Sequence, residues 1–456
     1  MKKTILLLCL IIGNICFAAE VKILHTSDIH GRIAPVTYRG VDNSGGFSRR
    51  LTFVNETRAN NKNVLVLDSG DYFQGSLYYK LDKGKSQAKL LPMIKYDAIT
   101  LGNHEFDNGL GVLKRNIKLS KTPFLSANVH FKDNYLKKAV KPYIIKEFDG
   151  EKFLIIGVTT SSLANLSNTD NVTVTDPVDE INKIIKEVPY DKLIILSHCG
   201  LDEDRRIAKA IPSIDLILGG HNHFFFNTPE YIGKTPIIQD GEFGIRVGIN
   251  DFDKSLKHYT YQNITPAIKS NEEVDKKIAS INKTTQKVTN EVIAKTNVTL
   301  IGDQHVIEHS QTNLGKLVLI SMAKPFSEYD AIITNSGSIR ANRNIKGNIT
   351  YADVLEILPF DNEIVLIEIQ GKYLKDILQQ GKQTNRRYLQ YYVKDKNIDE
   401  NKIYKVVTNS YVASGKDGYD AFKYGTIIKK SNIAPTKLLK ETLSDLKVLN
   451  NENLNL

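Results

Sequence analysis

No long apolar segment occurs after the first twenty residues of this 456-residue chain. A membrane-spanning helix needs roughly 20 consecutive apolar residues, so we expect no membrane anchor in the mature protein. The N-terminus combines Lys2 and Lys3 with an apolar run at residues 5–12 and the small residues Ala18 and Ala19. This pattern is typical of a cleaved secretory signal, predicted here over residues 1–19. We therefore expect a periplasmic or secreted protein.

Cysteine is also scarce, with three residues in the whole chain. Cys9 and Cys16 lie within the predicted signal, and its removal leaves Cys199 alone, which excludes an intramolecular disulfide. Cys16 follows Asn14 and Ile15 instead of the small residues that precede a lipid-modified cysteine, so we expect no lipid anchor. The fold must therefore depend on its apolar cores and on bound metals.

The net charge is +10 at pH 7, but the basic residues are dispersed through the sequence. No basic run is interleaved with aromatic residues in the way that nucleic-acid grooves require. The diffuse positive field favours small anionic ligands and not a nucleic-acid polymer. Nothing in the sequence indicates the oligomeric state.

From residue 21 to about residue 250, short apolar runs alternate with polar stretches compatible with helices. The runs predict buried strands of an α/β domain over residues 20–264, at residues 21–24, 64–67, 153–158, 193–196 and 214–218. The next segment is rich in Lys, Glu, Asn and Thr, and its apolar residues form one helical stripe at Val274, Ile278, Ile281, Val288 and Val292. We interpret residues 265–298 as a linker helix and residues 299–456 as a smaller α+β domain.

Polar residues directly follow several predicted strands, and strand ends are where open α/β sheets place their sites. These residues are Asp28-Ile29-His30, Gly70-Asp71, Asn103-His104, Ser197-His198 and His221-Asn222-His223. Together they supply Asp, His and Asn but no thiolate, a donor set that suits Zn, Mn and similar divalent ions. Two cations close together need an anionic bridge, and Asp71 is the natural candidate. We expect two divalent metal ions.

Three other residues near these motifs are interpreted as structural. His25 lies inside the first predicted strand, where we expect a hydrogen-bonded core histidine. Glu105 is adjacent to the third motif and is given no chemical role. Cys199 follows a candidate ligand but has no base motif around it, so we expect a buried thiol.

The ordered series of motifs resembles the calcineurin-like metallophosphoesterases. The sequence around Asp28 and Asn103 is most similar to the 5′-nucleotidase and UDP-sugar hydrolase branch of that family. Three motifs in the second half resemble the C-terminal domain of this branch, namely Asn335-Ser336-Gly337-Ser338-Ile339-Arg340, Leu358-Pro359-Phe360-Asp361-Asn362 and Gly415-Lys416-Asp417-Gly418-Tyr419. The resemblance implies a four-layer α/β/β/α catalytic domain, joined by the linker helix to a C-terminal substrate-binding domain.

The resemblance also assigns the metal ligands. It implies one ion held by Asp28, His30, Asp71 and His223, and a second held by Asp71, Asn103, His198 and His221. Such a pair of ions polarises phosphoryl oxygens and activates the attacking water. His104, next to a ligand, is expected to act on the developing charge or the leaving oxygen, with Asp107 fixing its tautomer.

The resemblance places substrate recognition in the second domain. It implies that Phe360 and Tyr411 sandwich a nucleobase, that Asp417 holds a ribose hydroxyl, and that Asn362 meets the base edge. Stacking of this kind contributes roughly 1–3 kcal/mol per base. Arg340 is the candidate for binding a phosphate, because a guanidinium group can donate two parallel hydrogen bonds to phosphate oxygens.

One segment departs from the family pattern. The family usually has further arginine upstream of the Asn335 motif, but residues 304–309 read Gln-His-Val-Ile-Glu-His. Glu308 at such a position would repel phosphate. The departure leaves open whether monoesters or diesters are preferred.

These features predict an exported phosphohydrolase of the 5′-nucleotidase type that converts nucleotides to nucleoside and phosphate. The alternatives on the same scaffold are a nucleotide-sugar pyrophosphohydrolase and a 2′,3′-cyclic nucleotide phosphodiesterase, which differ in the leaving group. A more remote alternative is a nucleotide-binding protein without catalytic activity. The complete ligand set together with His104 and Asp107 argues against that last alternative.

Overall fold

The computed structural model describes residues 19–38, 41–163, 167, 171–382 and 388–454. The predicted signal, except for Ala19, lies outside the described residues. Among the helices that are described, none is both long and apolar enough to cross a membrane.

Two large sheets form the N-terminal part of the chain. Its strands are β1 (Val21–Thr26), β2 (Val36–Tyr38), β3 (Val41–Ser44), β4 (Val64–Asp68), β5 (Ala98–Thr100), β6 (Phe124–Leu125), β7 (Val129–Phe131), β8 (Val140–Lys141), β9 (Tyr143–Phe148), β10 (Glu151–Thr159), β11 (Val172–Val174), β12 (Lys192–His198), β13 (Leu216–Gly219), β14 (Glu230–Ile232), β15 (Thr235–Gln239), β16 (Arg246–Phe252) and β17 (Leu256–Asn263). The first sheet has the order β17-β16-β1-β4-β5-β6-β8, and the second has the order β14-β15-β13-β12-β10-β9.

Helices cover the outer faces of both sheets. They are α1 (Phe47–Asn60), α2 (Leu77–Asp82), α3 (Lys85–Ile94), α4 (Gly109–Ser120), α5 (Asn134–Ala139), α6 (Pro177–Glu187) and α7 (Leu201–Ala210). Apolar side chains from β1, β4, β10 and β12 meet between the sheets, including Ile23, Leu67, Ile155 and Leu196. The opposite faces of the same strands share apolar clusters with helices, Val66 with Leu91 of α3 and Ile195 with Ile207 of α7. This arrangement confirms the predicted α/β/β/α layering.

The neighbouring strands that carry the site run parallel. β1 pairs with β4, and β4 with β5, in the first sheet. β12 pairs with β13, and β13 with β15, in the second. Because the carboxyl ends of parallel neighbours lie at one edge, the loops that follow these strands are brought together there.

A helix connects the two halves of the chain. Helix α8 (Glu272–Thr289) begins at Asn271, whose side chain accepts a hydrogen bond from Val274 N. Val274 and Ile278 pack into the core of the N-terminal unit. The helix is shorter than the predicted stripe, because Val292 begins a strand. Val288 lies in the helix but is exposed. The domain boundaries themselves stay predictions.

The C-terminal part is a smaller α+β unit. Its strands are β18 (Val292–Leu300), β19 (Ala331–Asn335), β20 (Ile345–Thr350), β21 (Ile364–Gln370), β22 (Leu389–Val393), β23 (Ile403–Asn409), β24 (Thr426–Lys430) and β25 (Val448–Leu449). Its helices are α9 (Gln304–Ile307), α10 (Asn313–Ala323), α11 (Tyr351–Ile357), α12 (Gly371–Gln380), α13 (Ser410–Ala413) and α14 (Pro435–Leu446). The larger sheet has the order β22-β19-β23-β21-β24, and its two faces belong to separate apolar clusters.

Candidate active site

Two clusters of predicted metal ligands lie at the shared edge of the sheets. The first contains Asp28, His30 and His223, and one candidate ligand atom from each lies within 4.8 Å of the others. His30 Nε2 is 3.1 Å from His223 Nε2, and the latter atom is 3.3 Å from Asp28 Oδ1. Loops after β1 and β13, on different sheets, therefore converge on one point.

The second cluster contains Asp71, His198 and His221 within the same 4.8 Å limit. His198 Nε2 lies 3.0 Å from Asp71 Oδ2. Its Nδ1 lies 2.6 Å from the backbone oxygen of Ser69, which fixes the ring and directs Nε2 towards the cluster. The backbone N–H of His30 donates to the backbone oxygen of Asp71 at 2.9 Å, which links this cluster to the first.

One buried atom of the predicted ligands, Asn103 Oδ1, has no hydrogen-bond partner among the described residues. His198 Nε2, by contrast, is paired with the Asp71 carboxylate at 3.0 Å. Buried polar atoms are nearly always paired, since desolvating an unpaired one costs about 1–3 kcal/mol. An amide oxygen and an imidazole nitrogen are both electron-pair donors that a divalent cation accepts. The donor set therefore fits a pair of divalent ions, as the sequence predicts.

The backbone of the ligands is strained. Asp28, His30 and Asp71 have φ values of 52°, 49° and 51°, and His221 and His223 have values of 77° and 60°. Left-handed conformations of this kind are uncommon for residues other than glycine and cluster at functional sites. Close packing adds to the constraint, because a Cβ on Gly102 would lie 2.1 Å from Asp71 Oδ1.

Each cluster attracts positive charge. Burial by itself would lower the pKa of His198 and of His223, but the carboxylates of Asp71 and Asp28 raise each pKa to about 10. Burial likewise opposes ionisation of those carboxylates, yet the neighbouring histidines hold the pKa of Asp71 well below its ordinary value. The clusters therefore hold protons that a divalent cation can replace.

His104 and Asp107 form a hydrogen-bonded pair beside the ligands. His104 Nδ1 lies 2.7 Å from Asp107 Oδ2, and the backbone N–H of His104 donates to Asp71 Oδ1 at 2.9 Å. Burial would lower the pKa of His104, but Asp107 and then Asp71 raise it to about 9. The His104 and His30 rings are 5.3 Å apart. A protonated imidazole is thus held next to the first cluster.

Several residues near the site carry no sequence-based prediction of a role. Glu242 Oε2 lies 2.9 Å from His223 Nδ1 and orients that ring. Ser167 Oγ donates to Asp107 Oδ1 at 3.0 Å and to the backbone oxygen of Asn103 at 2.6 Å. Glu242 follows a buried strand, β15, as the predicted ligands do, so the same signal could have found it. Ser167 lies in a loop and gives no such signal.

The residues interpreted as structural are deeply buried. Glu105 accepts hydrogen bonds from the backbone N–H groups of Asp71, Phe73 and Gly102, and so holds two ligand loops together. His25 lies between Asp240 Oδ2, at 2.6 Å, and Ser69 Oγ, at 2.8 Å. Cys199 is a buried free thiol.

The predicted base-binding residues lie in the C-terminal unit, and Phe360 contacts the N-terminal unit. The Phe360 ring stacks on His104, with centroids 6.4 Å apart and planes inclined by 22°. Tyr411 donates to Asp417 Oδ1 at 2.9 Å, and Asn335 Nδ2 donates to Asp417 Oδ2 at 2.7 Å. Phe360 therefore reaches the catalytic unit, while Asp417 is held from two sides.

The remaining predicted substrate residues differ in their exposure. Arg340 is exposed and donates through Nε to Gly337 O at 2.8 Å. Asn362 lines a cavity of about 20 Å³ together with Phe360 and Asn409. Glu308 accepts a hydrogen bond from Gln304 Nε2 at 2.8 Å. A further cation lies near the predicted base-binding residues, since Lys416 Nζ is 5.2 Å from the centre of the Tyr411 ring.

Comparison with known proteins agrees with this arrangement. Residues 21–225 match the calcineurin-like phosphoesterase family, and residues 292–393 and 385–424 match the 5′-nucleotidase C-terminal domain. The snake venom 5′-nucleotidase of Gloydius brevicauda is 31% identical over 81% of this chain and 72% of its own length. The trifunctional nucleotide phosphoesterase protein YfkN of Bacillus subtilis (strain 168) is 28% identical over 88% of this chain, which spans only 32% of that larger protein.

A crystal structure of a 5′-nucleotidase precursor from Thermus thermophilus superposes with a TM-score of 0.80. It is 28% identical, and the match covers 94% of this chain and 97% of that one. Both halves of the fold are therefore shared with a protein of the same architecture. With its two ligand clusters and its C-terminal domain, this chain belongs to the 5′-nucleotidase family of calcineurin-like metallophosphoesterases.

Proposed function

We propose that the protein is an exported 5′-nucleotidase that hydrolyses nucleotides to nucleoside and phosphate. The observation that carries this proposal is the convergence on one cleft of the two ligand clusters, the His104–Asp107 pair and the ring of Phe360. The first two are suited to phosphoryl transfer, and the aromatic ring is suited to a nucleobase.

The two clusters support the ligand assignment that the family resemblance implies. Asp28, His30 and His223 would hold one divalent ion, while Asn103, His198 and His221 would hold the other, with Asp71 shared between them. Bound there, the two ions supply Lewis acidity to the phosphoryl group and activate water at neutral pH. The buried oxygen Asn103 Oδ1, which has no hydrogen-bond partner among the described residues, supports this assignment most directly.

His104 would donate a proton to the scissile oxygen or stabilise the negative charge that develops on it. Because Asp107 accepts from Nδ1, the Nε2–H of the imidazolium is free to donate towards the phosphoryl group. The hydrogen bond from Ser167 limits movement of Asp107 and so preserves that tautomer. The chain thus supplies a positioned acid beside the metal ligands.

The C-terminal unit would hold the nucleoside. Phe360 and Tyr411 would stack on the base, Asn362 would meet its edge, and Asp417 would accept from a ribose hydroxyl. Arg340 would pair with phosphate oxygens, since a guanidinium offers two parallel donors. Holding both ends of the substrate at once lowers the barrier at the reacting centre.

Wider phosphoesterase activity is the second candidate. The relative from Bacillus subtilis is described as a trifunctional nucleotide phosphoesterase, and the segment with Glu308 lacks the arginine that the family usually has. Hydrolysis of a nucleotide sugar or of a 2′,3′-cyclic nucleotide would use the same ligands with a different leaving group.

A hydrolysis panel tests the proposal, with released phosphate, nucleoside monophosphate and p-nitrophenol each measured as products. The substrates are AMP, ADP, ATP, UDP-glucose, 2′,3′-cyclic AMP and bis(p-nitrophenyl) phosphate, each with and without chelator. We expect the highest kcat/KM for a nucleoside phosphate and loss of activity with chelator. Preference for a diester or a nucleotide sugar would favour the second candidate, and no chelator-sensitive hydrolysis of any substrate would overturn both.

Export is tested separately. Cell fractionation of an expression host, followed by N-terminal sequencing of the product, should place the mature protein outside the cytoplasm and begin it near residue 20. A product that keeps Met1 and stays in the cytoplasm would overturn export.

A further inference from the structure

Helix α2 of the catalytic unit contacts the loop that carries Phe360. Lys80 Nζ donates to the backbone oxygen of Pro359 at 2.8 Å and to Asp361 Oδ1 at 2.6 Å. Lys83 Nζ donates to the other carboxylate oxygen of Asp361 at 2.8 Å. One ammonium therefore holds both chain neighbours of Phe360.

These contacts are more than ordinary surface ion pairs. The Lys80 side chain is only 9% exposed, against 31% for Lys83 and 46% for Asp361. Exposed pairs contribute little, whereas a charged hydrogen bond to a largely buried ammonium is strongly directional. Since Lys80 has two oxygen partners on one short loop, it restricts both the position and the orientation of that loop.

Helix α2 is itself fixed to the metal-ligand loops. Ser76, which caps the helix, donates through Oγ to the backbone oxygen of Gly31 at 2.9 Å, next to His30. Asn108 Nδ2, next to Asp107, donates to Tyr79 Oη at 2.9 Å. The helix therefore has a defined position relative to both the first ligand cluster and the acid pair.

We infer that Lys80, assisted by Lys83 and Asp361, is a positioning and specificity-determining element that sets the distance between the Phe360 ring and the reacting phosphoryl group. The inference rests on the proposed base-stacking role of Phe360. Lys80 fixes the position of the loop that carries Phe360 relative to helix α2, which is itself hydrogen-bonded to the ligand loops. A substrate with a base depends on this distance, and a small phosphate ester without a base does not.

Lys80→Met tests the inference, because methionine keeps much of the length and apolar bulk while removing the ammonium. For AMP we expect kcat/KM to fall about 10- to 100-fold, the range that a misplacement of about 1 Å produces. The fall for p-nitrophenyl phosphate should be much smaller. Lys80→Arg should recover most of the AMP activity, since it keeps a charged donor.

The matched control is Lys89→Met, which removes an exposed lysine of the neighbouring helix α3. This variant should leave kcat/KM unchanged for both AMP and p-nitrophenyl phosphate. Metal content and Tm are measured for every variant, so that a folding defect is not taken for a positioning effect. Asp361→Asn should reproduce part of the Lys80→Met selectivity change.

Combination with Phe360→Ala separates the inference from the proposal on which it rests. If Lys80 acts through Phe360, Lys80→Met should add little to Phe360→Ala for AMP. The positioning role is overturned if Phe360→Ala lowers selectivity for AMP but Lys80→Met lowers kcat/KM equally for both substrates or for neither. If Phe360→Ala itself leaves selectivity for AMP unchanged, the stacking role is overturned, and the role of Lys80 with it.

Discussion

Glu242 and His223 form a half-buried contact in which a carboxylate oxygen lies 2.9 Å from the imidazole Nδ1. Burial would raise the pKa of Glu242, but His223 holds it below its ordinary value, so the carboxylate is charged at neutral pH. An anion on one ring nitrogen increases the basicity of the other. Nε2 of His223, which faces Asp28, therefore becomes a stronger metal ligand.

Glu242→Gln should weaken metal binding. The amide keeps the shape but loses the charge that supports His223, and loss of such a partner costs about 10- to 100-fold in metal affinity. Competition with a chromophoric chelator measures the change. Glu230→Gln is the control, because Glu230 pairs with Arg205 away from the site; an equal loss in both variants would contradict the role of Glu242.

Asp71→Asn should weaken metal binding more than Glu242→Gln does. The shared position loses the negative charge that lets two cations lie close together, so metal and activity should be lost together. Elemental analysis after dialysis measures the ions per chain. Two ions bound with unchanged affinity would exclude Asp71 as the bridge.

His104→Ala should lower kcat by roughly 10²–10⁴-fold, as expected for a general acid. Metal content should stay near that of the unmodified protein, since His104 is not a predicted ligand. Steady-state kinetics on AMP, with elemental analysis of the same sample, separates the two effects. An unchanged kcat would exclude the proposed role.

The stability of the metal-free protein should depend on pH. Burial lowers the pKa of His198 and His223, but Asp71 and Asp28 raise each to about 10, above the value of 6.5 for an unperturbed histidine. A histidine pKa raised by folding stabilises the fold fully below pH 6.5, and this stabilisation is lost as the pH rises towards 10.

Circular dichroism is suited to this measurement, because the chain has no tryptophan for fluorescence. With chelator, we expect Tm to fall as the pH rises above 6.5. With a divalent ion bound, the fall should be much smaller, because the ion replaces the protons and binds more tightly as the pH rises. A chelated protein with constant Tm over this range would contradict the prediction.

Lys416→Met should raise KM for nucleotides. The ammonium lies 5.2 Å from the centre of the Tyr411 ring, and Lys416 directly precedes Asp417, the predicted ribose-binding residue. It can therefore supply positive charge that the segment with Glu308 does not. Lys423→Met is the control, since Lys423 pairs with Asp420 at the surface. Equal KM values for all three proteins would exclude a contact with substrate.

The order of motifs, together with the family that it resembles, was sufficient to predict the layered fold and to nominate metal ligands, six of which the structure brings into two clusters. Each ligand follows a buried parallel strand, and the carboxyl ends of such strands share an edge, so position along the chain determines position in space. Glu242 gives the same signal after β15, but its Asp-Gly-Glu sequence lacks the histidine that marks most of the other motifs. The predicted helix stripe is too long, because Val292 fits a helical period and a strand equally well.

The sequence by itself determined the chemistry available to this protein: its donor types, its lack of disulfides and its two kinds of domain. Only the tertiary structure decided which side chains meet across long separations, such as Lys80 with Asp361 or Ser167 with Asp107. Local periodicity reports the neighbours of a residue along one strand or helix. Contacts between units depend instead on how complete elements pack, and no short pattern in the chain encodes that distance.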